Sequence, residues 1–173
     1  MTADRSETGV PKPVTVSHIF GEIVWLLGQS ARHSDISARD MSWLIMPPIL
    51  HRQFHIFREG ERPIGAAIWA LLDEAGEHKV IQGLQPSGKM LEYAEWKAGD
   101  RLWLIELISP FATAQNRHVE LMMADLVAGP FSDKDFKMLS RHYEGREMRV
   151  VSVPASTKDI LKQRIKEIVE ASI

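Results

Sequence analysis

The run Gly99-Asp100-Arg101-Leu102-Trp103-Leu104-Ile105-Glu106-Leu107-Ile108-Ser109-Pro110-Phe111 reads as a buried strand with one carboxylate, Glu106, inside it. An unpaired ionised carboxylate among apolar neighbours is expensive. Glu106 should therefore be partly open to a cleft, paired with a donor or cation, or protonated, and any of these makes it a site candidate. Of the seven histidines, His33 alone sits in a polar loop just past a helix end, beside Ser30 and Asp35. A histidine ordinarily titrates near neutral pH, so one in this position is suited to take a proton from a nucleophile; the plainer reading is a solvated loop side chain.

Other chemistries are disfavoured. The chain has no cysteine, so it has no disulfide, thiolate-ligated zinc or cysteine nucleophile. No His-Glu-x-x-His metal spacing, Gly-x-Ser-x-Gly elbow or Gly-x-x-x-x-Gly-Lys phosphate loop occurs, and no metal is expected. With 21 basic and 23 acidic residues the formal charge is -2, which gives no electrostatic argument for nucleic acid. Trp25, Trp43, Trp69, Trp96 and Trp103 lie mostly in apolar periodic stretches and read as core or interface anchors.

The elements that must position Glu106 and His33 can be read from periodicity and caps. A chain of 173 residues, 45% apolar and 25% charged, suits one soluble domain. Residues 1–16 are polar with Pro11 and Pro13 and are expected to be a flexible segment, leaving 17–173 as the folded domain. No apolar run approaches the ~18 residues of a membrane span, and the start lacks a secretory signal, so a cytoplasmic protein without stable membrane insertion is expected. Ile19, Phe20, Ile23, Val24 and Leu27 predict a helix over 18–27, capped by Ser17 and stopped by Gly28. A second helical piece includes 47–52, and 54–58 with 63–72 form a hairpin around Glu59-Gly60-Glu61-Arg62.

Residues 73–89 read as a loop or short connection, 90–96 are ambiguous, and 102–108 is the most strand-like run. Asn116 opens a helix closed by Gly129-Pro130, and Ser132-x-x-Asp135 suggests another reaching about Tyr143. A strand over 149–153 precedes an amphipathic C-terminal helix with a Ser156-x-x-Asp159 capping box. Its Ile160, Leu161, Ile165, Ile168 and Val169 lie opposite Lys158, Lys162, Arg164 and Lys166. The basic side reads as a solvated surface.

This order matches an α+β, acetyltransferase-like (GNAT-type) single domain with a mixed central sheet flanked by helices, an analogy of fold. It locates a cleft beside Glu106 and the loop from Ser109 to Gln115. The Gln/Arg-x-x-Gly-x-Gly/Ala run with which coenzyme A acetyltransferases cradle a pyrophosphate is missing after this strand. Ser109-Pro110-Phe111-Ala112-Thr113-Ala114 stands there instead, so if an acyl carrier binds, one without a pyrophosphate, such as a protein-borne phosphopantetheine, fits better than coenzyme A.

Four blocks stand in order: Phe20-Gly21-Glu22-Ile23-Val24-Trp25-Leu26 with Ser30-x-x-His33, Pro63 to Ala70, Gly99 to Phe111, and Arg149-Val150. Together they resemble the RTX toxin-activating lysine acyltransferases, the hemolysin-activating family. The resemblance implies transfer of a fatty acyl group from acyl carrier protein to internal lysines of an RTX protoxin, with no bound cofactor, by a homodimer. By position it makes His33 the catalytic histidine and Ser30 the serine three residues before it. Glu106 stands where the family usually has aspartate. His33 would act as general base, directly or through water, with Glu106 orienting the imidazolium or steering the substrate ammonium. Ser30 would bind near the thioester, and an acyl-His33 intermediate is the other route. The chain departs from the pattern between Met122 and Arg149, where it is longer, and lacks a glycine after Phe111. The rival readings are a coenzyme A-dependent small-molecule N-acyltransferase and a non-catalytic binding module.

Overall fold

Thr15 starts the fold: its hydroxyl accepts the His18 amide at 3.2 Å and caps α1 (Val16–Gly28), so the helix begins ahead of the expected Ser17 cap. The computed structural model describes residues 14–83, 90–141 and 148–170. Most of the segment expected to be flexible, residues 1–13, lies outside them. A 3-10 turn at Ala31–His33 leads to α2 (Met41–Leu44) and α3 (Met46–His51), then to the hairpin of β1 (Phe54–Glu59) and β2 (Arg62–Leu72). After these come α4 (Glu74–Ile81), β3 (Arg101–Ile108), α5 (His118–Ala128), β4 (Phe136–Arg141), β5 (Met148–Val153) and α6 (Thr157–Glu170).

The fold is α+β with one open, mixed sheet of order β1-β2-β3-β4-β5, in which only β3 and β4 run parallel. Each face carries a core. On the first, Ile19, Ile23 and Leu26 of α1 pack with Ile45, Ile68 and Trp103; on the second, Met122 and Leu126 of α5 pack with Leu104, Phe131 and Phe136. A β-carbon on Gly99 would overlap the backbone of Leu72, and its N–H donates to the Leu71 carbonyl at 3.0 Å. That close approach requires the glycine that opens the strand motif.

Two expectations are corrected. Residues 74–81 form α4 rather than a loop: the Asp73 carboxylate accepts the Gly76 amide at 2.8 Å, Glu74 and Glu77 lie in the first turn, and His78 and Lys79 in the last. Cap and charges both complement the helix dipole, and Val80 supplies the buried contact. Residues 84–89 of that stretch lie outside the described residues. The helix expected from Ser132 to Tyr143 is instead β4. Asp133 has φ 59, in the left-handed region, so the Ser132-x-x-Asp135 box cannot open a helix, and Asp135 accepts the Ala155 amide instead. β4 is apolar on both sides because Phe136 and Met138 join the α5 core while Leu139 joins the α1 core. Tyr143 lies outside the described residues, as do the side chains of Leu161, Lys162, Arg164, Ile165, Lys166, Ile168 and Val169, on which the two faces of α6 depend.

Glu77 ties α4 to the parallel pair. Its Oε1 accepts from the Trp103 indole at 2.9 Å and from Lys137 Nζ at 2.6 Å, and Trp103 and Lys137 are themselves register partners across β3 and β4. Arg101 Nε stands 3.5 Å from Oε2. Burial opposes ionisation of Glu77, but the hydrogen bonds from Lys137 and Trp103 and the Lys137 and Arg101 charges outweigh it and hold the carboxyl below its ordinary range. Glu77→Gln is therefore expected to lower the unfolding free energy by about 1–3 kcal/mol at neutral pH in urea titrations. A carboxyl with a lowered folded-state pKa contributes stability above the ordinary carboxylate range and loses it as pH falls, so the gap between wild type and variant should close in acid.

Candidate active site

Strict alternation along β3 would send Glu106 to the same face as Leu102 and Leu104, into the apolar core under α5. A β-bulge prevents this. Ile68 pairs with Glu106 but Trp69 pairs with Leu104, so Ile105 is the extra residue. Leu102 and Leu104 lie in the α5 core, whereas Ile68, the partner of Glu106, lies in the α1 core. The bulge thus turns the carboxylate towards the chain segment that follows α1.

That segment carries His33. Its side chain is only 5% exposed, and Nε2 lies 3.0 Å from Glu106 Oε1. Nδ1 lies 2.7 Å from Ser30 Oγ. Arg32 Nη2 is also 3.0 Å from Glu106 Oε1, so one carboxylate oxygen faces two basic groups. Both contacts are at ion-pair distance; neither His33 Nε2 nor Glu106 Oε1 makes an aligned hydrogen bond among the described residues. The sequence reading brought Ser30, His33 and Glu106 together, and the structure does so too. Of the three options left open for Glu106, pairing and cleft access both hold. Asp35 makes no part of the cluster.

The loop is held from its far end. Asp40 is buried and accepts the Ser37 hydroxyl at 2.7 Å, the Ser37 amide at 2.8 Å and the Trp43 indole at 3.0 Å. The Ser37 side-chain hydrogen bond is the largest cause, ahead of the Ser37 amide and Trp43, that keeps the Asp40 carboxyl below its ordinary range. The Ser30 carbonyl accepts the His33 amide and the His33 carbonyl accepts that of Ile36, which fixes the turn between these anchors.

Beyond the pair Leu104 and Met138 no further register pairing joins β3 to β4 among the described residues, and a cavity of about 430 Å³ opens there. Ser30, Arg32, His33 and Glu106 line it on the α1 side, and Leu104, Leu107, Val119 and Met138 on the α5 side. Ser109 also lines it, with a buried hydroxyl that finds no hydrogen-bond partner among the described residues. Phe111 packs on Trp25 at 5.8 Å and under the Arg62 guanidinium at 4.6 Å, anchoring the end of the Ser-Pro-Phe segment. Sequence reasoning missed Arg32 and Ser109 as site residues. Both stand inside quoted blocks, one beside His33 and one at the strand end, but nothing local distinguished them from surface and turn residues. No cluster of three or more metal-ligating side chains occurs among the described residues.

The cleft is thus the gap between two parallel strands of an open α+β sheet, with a buried histidine and a partly buried carboxylate beside it. The chain belongs to the RTX toxin acyltransferase family, whose model matches residues 12–155. It is 30% identical over 98 residues to a leukotoxin-activating lysine-acyltransferase of Mannheimia haemolytica, covering 57% of this chain and 56% of that one. It is 31% identical over 106 residues to a protein-lysine palmitoyltransferase of Bordetella bronchiseptica, covering 61% and 55%. An uncharacterised protein of Synechocystis sp. is 26% identical over 150 residues, covering 86% and 95%. The chain thus spans just over half the length of the lysine acyltransferases named here.

If Asp40 anchors the His33 loop, Asp40→Ala should lower stability by about 1–3 kcal/mol and speed hydrogen exchange at the Ser37 amide. Unchanged exchange there would remove Asp40 from the support of the site.

Proposed function

We propose that this chain is a protein-lysine fatty acyltransferase that takes its acyl group from the phosphopantetheine thioester of acyl carrier protein and delivers it to internal lysines of an RTX protoxin. The observation that carries this reading is the buried His33 set between Ser30 Oγ and Glu106 Oε1 at the cleft. Family membership supports the reaction class, and the lysine and toxin in the names of the family and its relatives support the acceptor. The parallel strands that part at the site also fit a sheet of the acetyltransferase type. In this reading residues 17–173 form the acyltransferase unit, working in the cytoplasm as a homodimer.

The loop after β3 supports a carrier protein over coenzyme A as donor. Asn116 Oδ1 already accepts the Thr113 amide at 2.9 Å and the His118 amide at 3.1 Å. The His118 N–H, the first of α5, is thereby engaged within the loop rather than free for a pyrophosphate.

In the chemistry, the lysine nitrogen attacks the thioester carbonyl carbon, an amide bond forms, the C–S bond breaks, and the thiol leaves with a proton. A lysine ammonium is not a nucleophile, so the amine must be neutral and must shed a second proton as it attacks. With Nε2–H towards the carboxylate, the lone pair of His33 is at Nδ1, which faces the Ser30 hydroxyl. The amine proton therefore reaches His33 by way of Ser30, which gives its own proton to Nδ1 as it receives the new one. Glu106 stabilises the imidazolium until that proton passes to the departing sulfur.

Co-expression with an RTX protoxin, read by intact mass, tests the reading. Wild type should add the mass of an acyl chain to the protoxin, and His33→Ala should cut the rate by roughly 100-fold or more while leaving the fold intact by circular dichroism. Glu106→Gln should lose more activity than Glu106→Asp, which keeps the charge at a shorter reach. Near wild-type acylation by His33→Ala, or tight binding of coenzyme A with none of acyl carrier protein, would overturn the assignment.

A further inference from the structure

The cavity between β3 and β4 is lined by residues from both faces of the sheet, and its two sides differ in chemistry. At the α1 end stand Ser30, His33 and Glu106; at the α5 end stand Leu104, Leu107, Met138 and Val119, with no ionisable group among them. Met148, the first residue of β5, completes the apolar rim. Val119 and Met148 are 45% and 46% exposed, two large apolar side chains from different elements that border the same opening. Leu104 and Met138, the last register pair of the parallel ladder, form its floor.

We propose that this α5 end is the seat of the donor's hydrocarbon chain, and that Val119 and Met148 set the length of chain accepted. The inference rests on the acyltransferase reading and deepens it by naming where the acyl group lies. The occupant follows from continuity: the reacting carbonyl must reach Ser30 and His33, and the wall that continues from them is mainly aliphatic and thioether, with the hydroxyls of Ser109 and Ser140 as its polar exceptions. Hydrocarbon buried there leaves water without losing a hydrogen bond, whereas a polar chain would lose its own. The bulge at Ile105 makes the division sharp, because it turns Glu106 to the α1 face and brings Leu107 to the α5 face beside Leu104.

The test uses Val119→Trp, Val119→Asp and Met148→Trp, with Leu121→Trp as a control, since Leu121 is exposed on the same helix but lines a separate groove beside β1. Transfer from hexadecanoyl-acyl carrier protein should fall about tenfold or more in each of the three, while transfer from butanoyl-acyl carrier protein stays within about twofold, a filled pocket discriminating by this order. Direct binding is measured separately with a fluorescent long-chain fatty acid and the full chain alone, without carrier or toxin. The probe should bind wild type and Leu121→Trp alike and bind the three variants at least about fivefold more weakly. Probe binding with these losses supports the seat even if no protoxin is acylated, in which case the acceptor reading fails and the seat stands. Equal losses for both donor lengths, or three variants that bind and transfer as wild type does, would overturn the seat and leave the acyltransferase reading untouched.

Discussion

The placement of Glu106 depends on one residue out of phase in β3. A strand alternates sides with a period of two, so a single extra residue exchanges the faces of everything beyond it. Ile105 is that residue. Before it, Leu102 and Leu104 fill the core under α5; after it, Glu106 and Ile108 lie on the side of α1. Without the shift the carboxylate would enter an apolar core with no cation, and His33 would have no counter-charge. A bulge normally weakens a ladder locally. Here β2 continues on both sides of it, from Ala66 paired with Ile108 to Leu72 paired with Arg101, so the interruption stays local.

The opening beside the bulge has a related cause. β3 and β4 are joined over only two register pairs, Trp103 with Lys137 and Leu104 with Met138. Parallel pairing so short is weak by itself, and Glu77 reinforces it by accepting from both members of the first pair. The clamp lies at one end of the ladder, and past the other end the strands line a cavity instead of bonding. Closing the sheet there would satisfy more backbone groups but leave no passage between its faces. The helix that supplies Glu77 is therefore part of the architecture of the site, although its hydrogen bonds and ion pairs, among the described residues, reach none of the cleft residues.

Burial and exposure are divided within the cluster. His33 is almost wholly enclosed, Glu106 is 17% exposed, and Arg32 is 61% exposed, though all three meet at one oxygen. A charge exposed like that of Arg32 is partly screened by water, so its pull on Glu106 is softer than the distance alone suggests. The enclosed imidazole has no such screening, and its position is fixed by the turn at Ala31–His33 and the Asp40 anchor.

Much of this was legible in the residues. The helix after Thr15, the hairpin at Gly60, the strand around Trp103, the helix before Gly129 and the last strand follow from periodicity and punctuation, which act over a few neighbours. Glu106 was detectable because a carboxylate in an apolar run needs an explanation, and His33 because of its loop and the block containing Ser30. Residues 74–81 and 136–141 were misread, since the Asp73 cap was hidden in a charged stretch and the turn residues around Asp133 imitate a helix start. What the sequence by itself determined was the chemistry available: one carboxylate, one histidine, one serine and no thiol. Tertiary structure decided which side of the sheet Glu106 occupies, that Arg32 shares its oxygen, and that the strands part beside it. Each of those depends on the register between β2, β3 and β4, and register is a property of paired strands that no single stretch of chain contains.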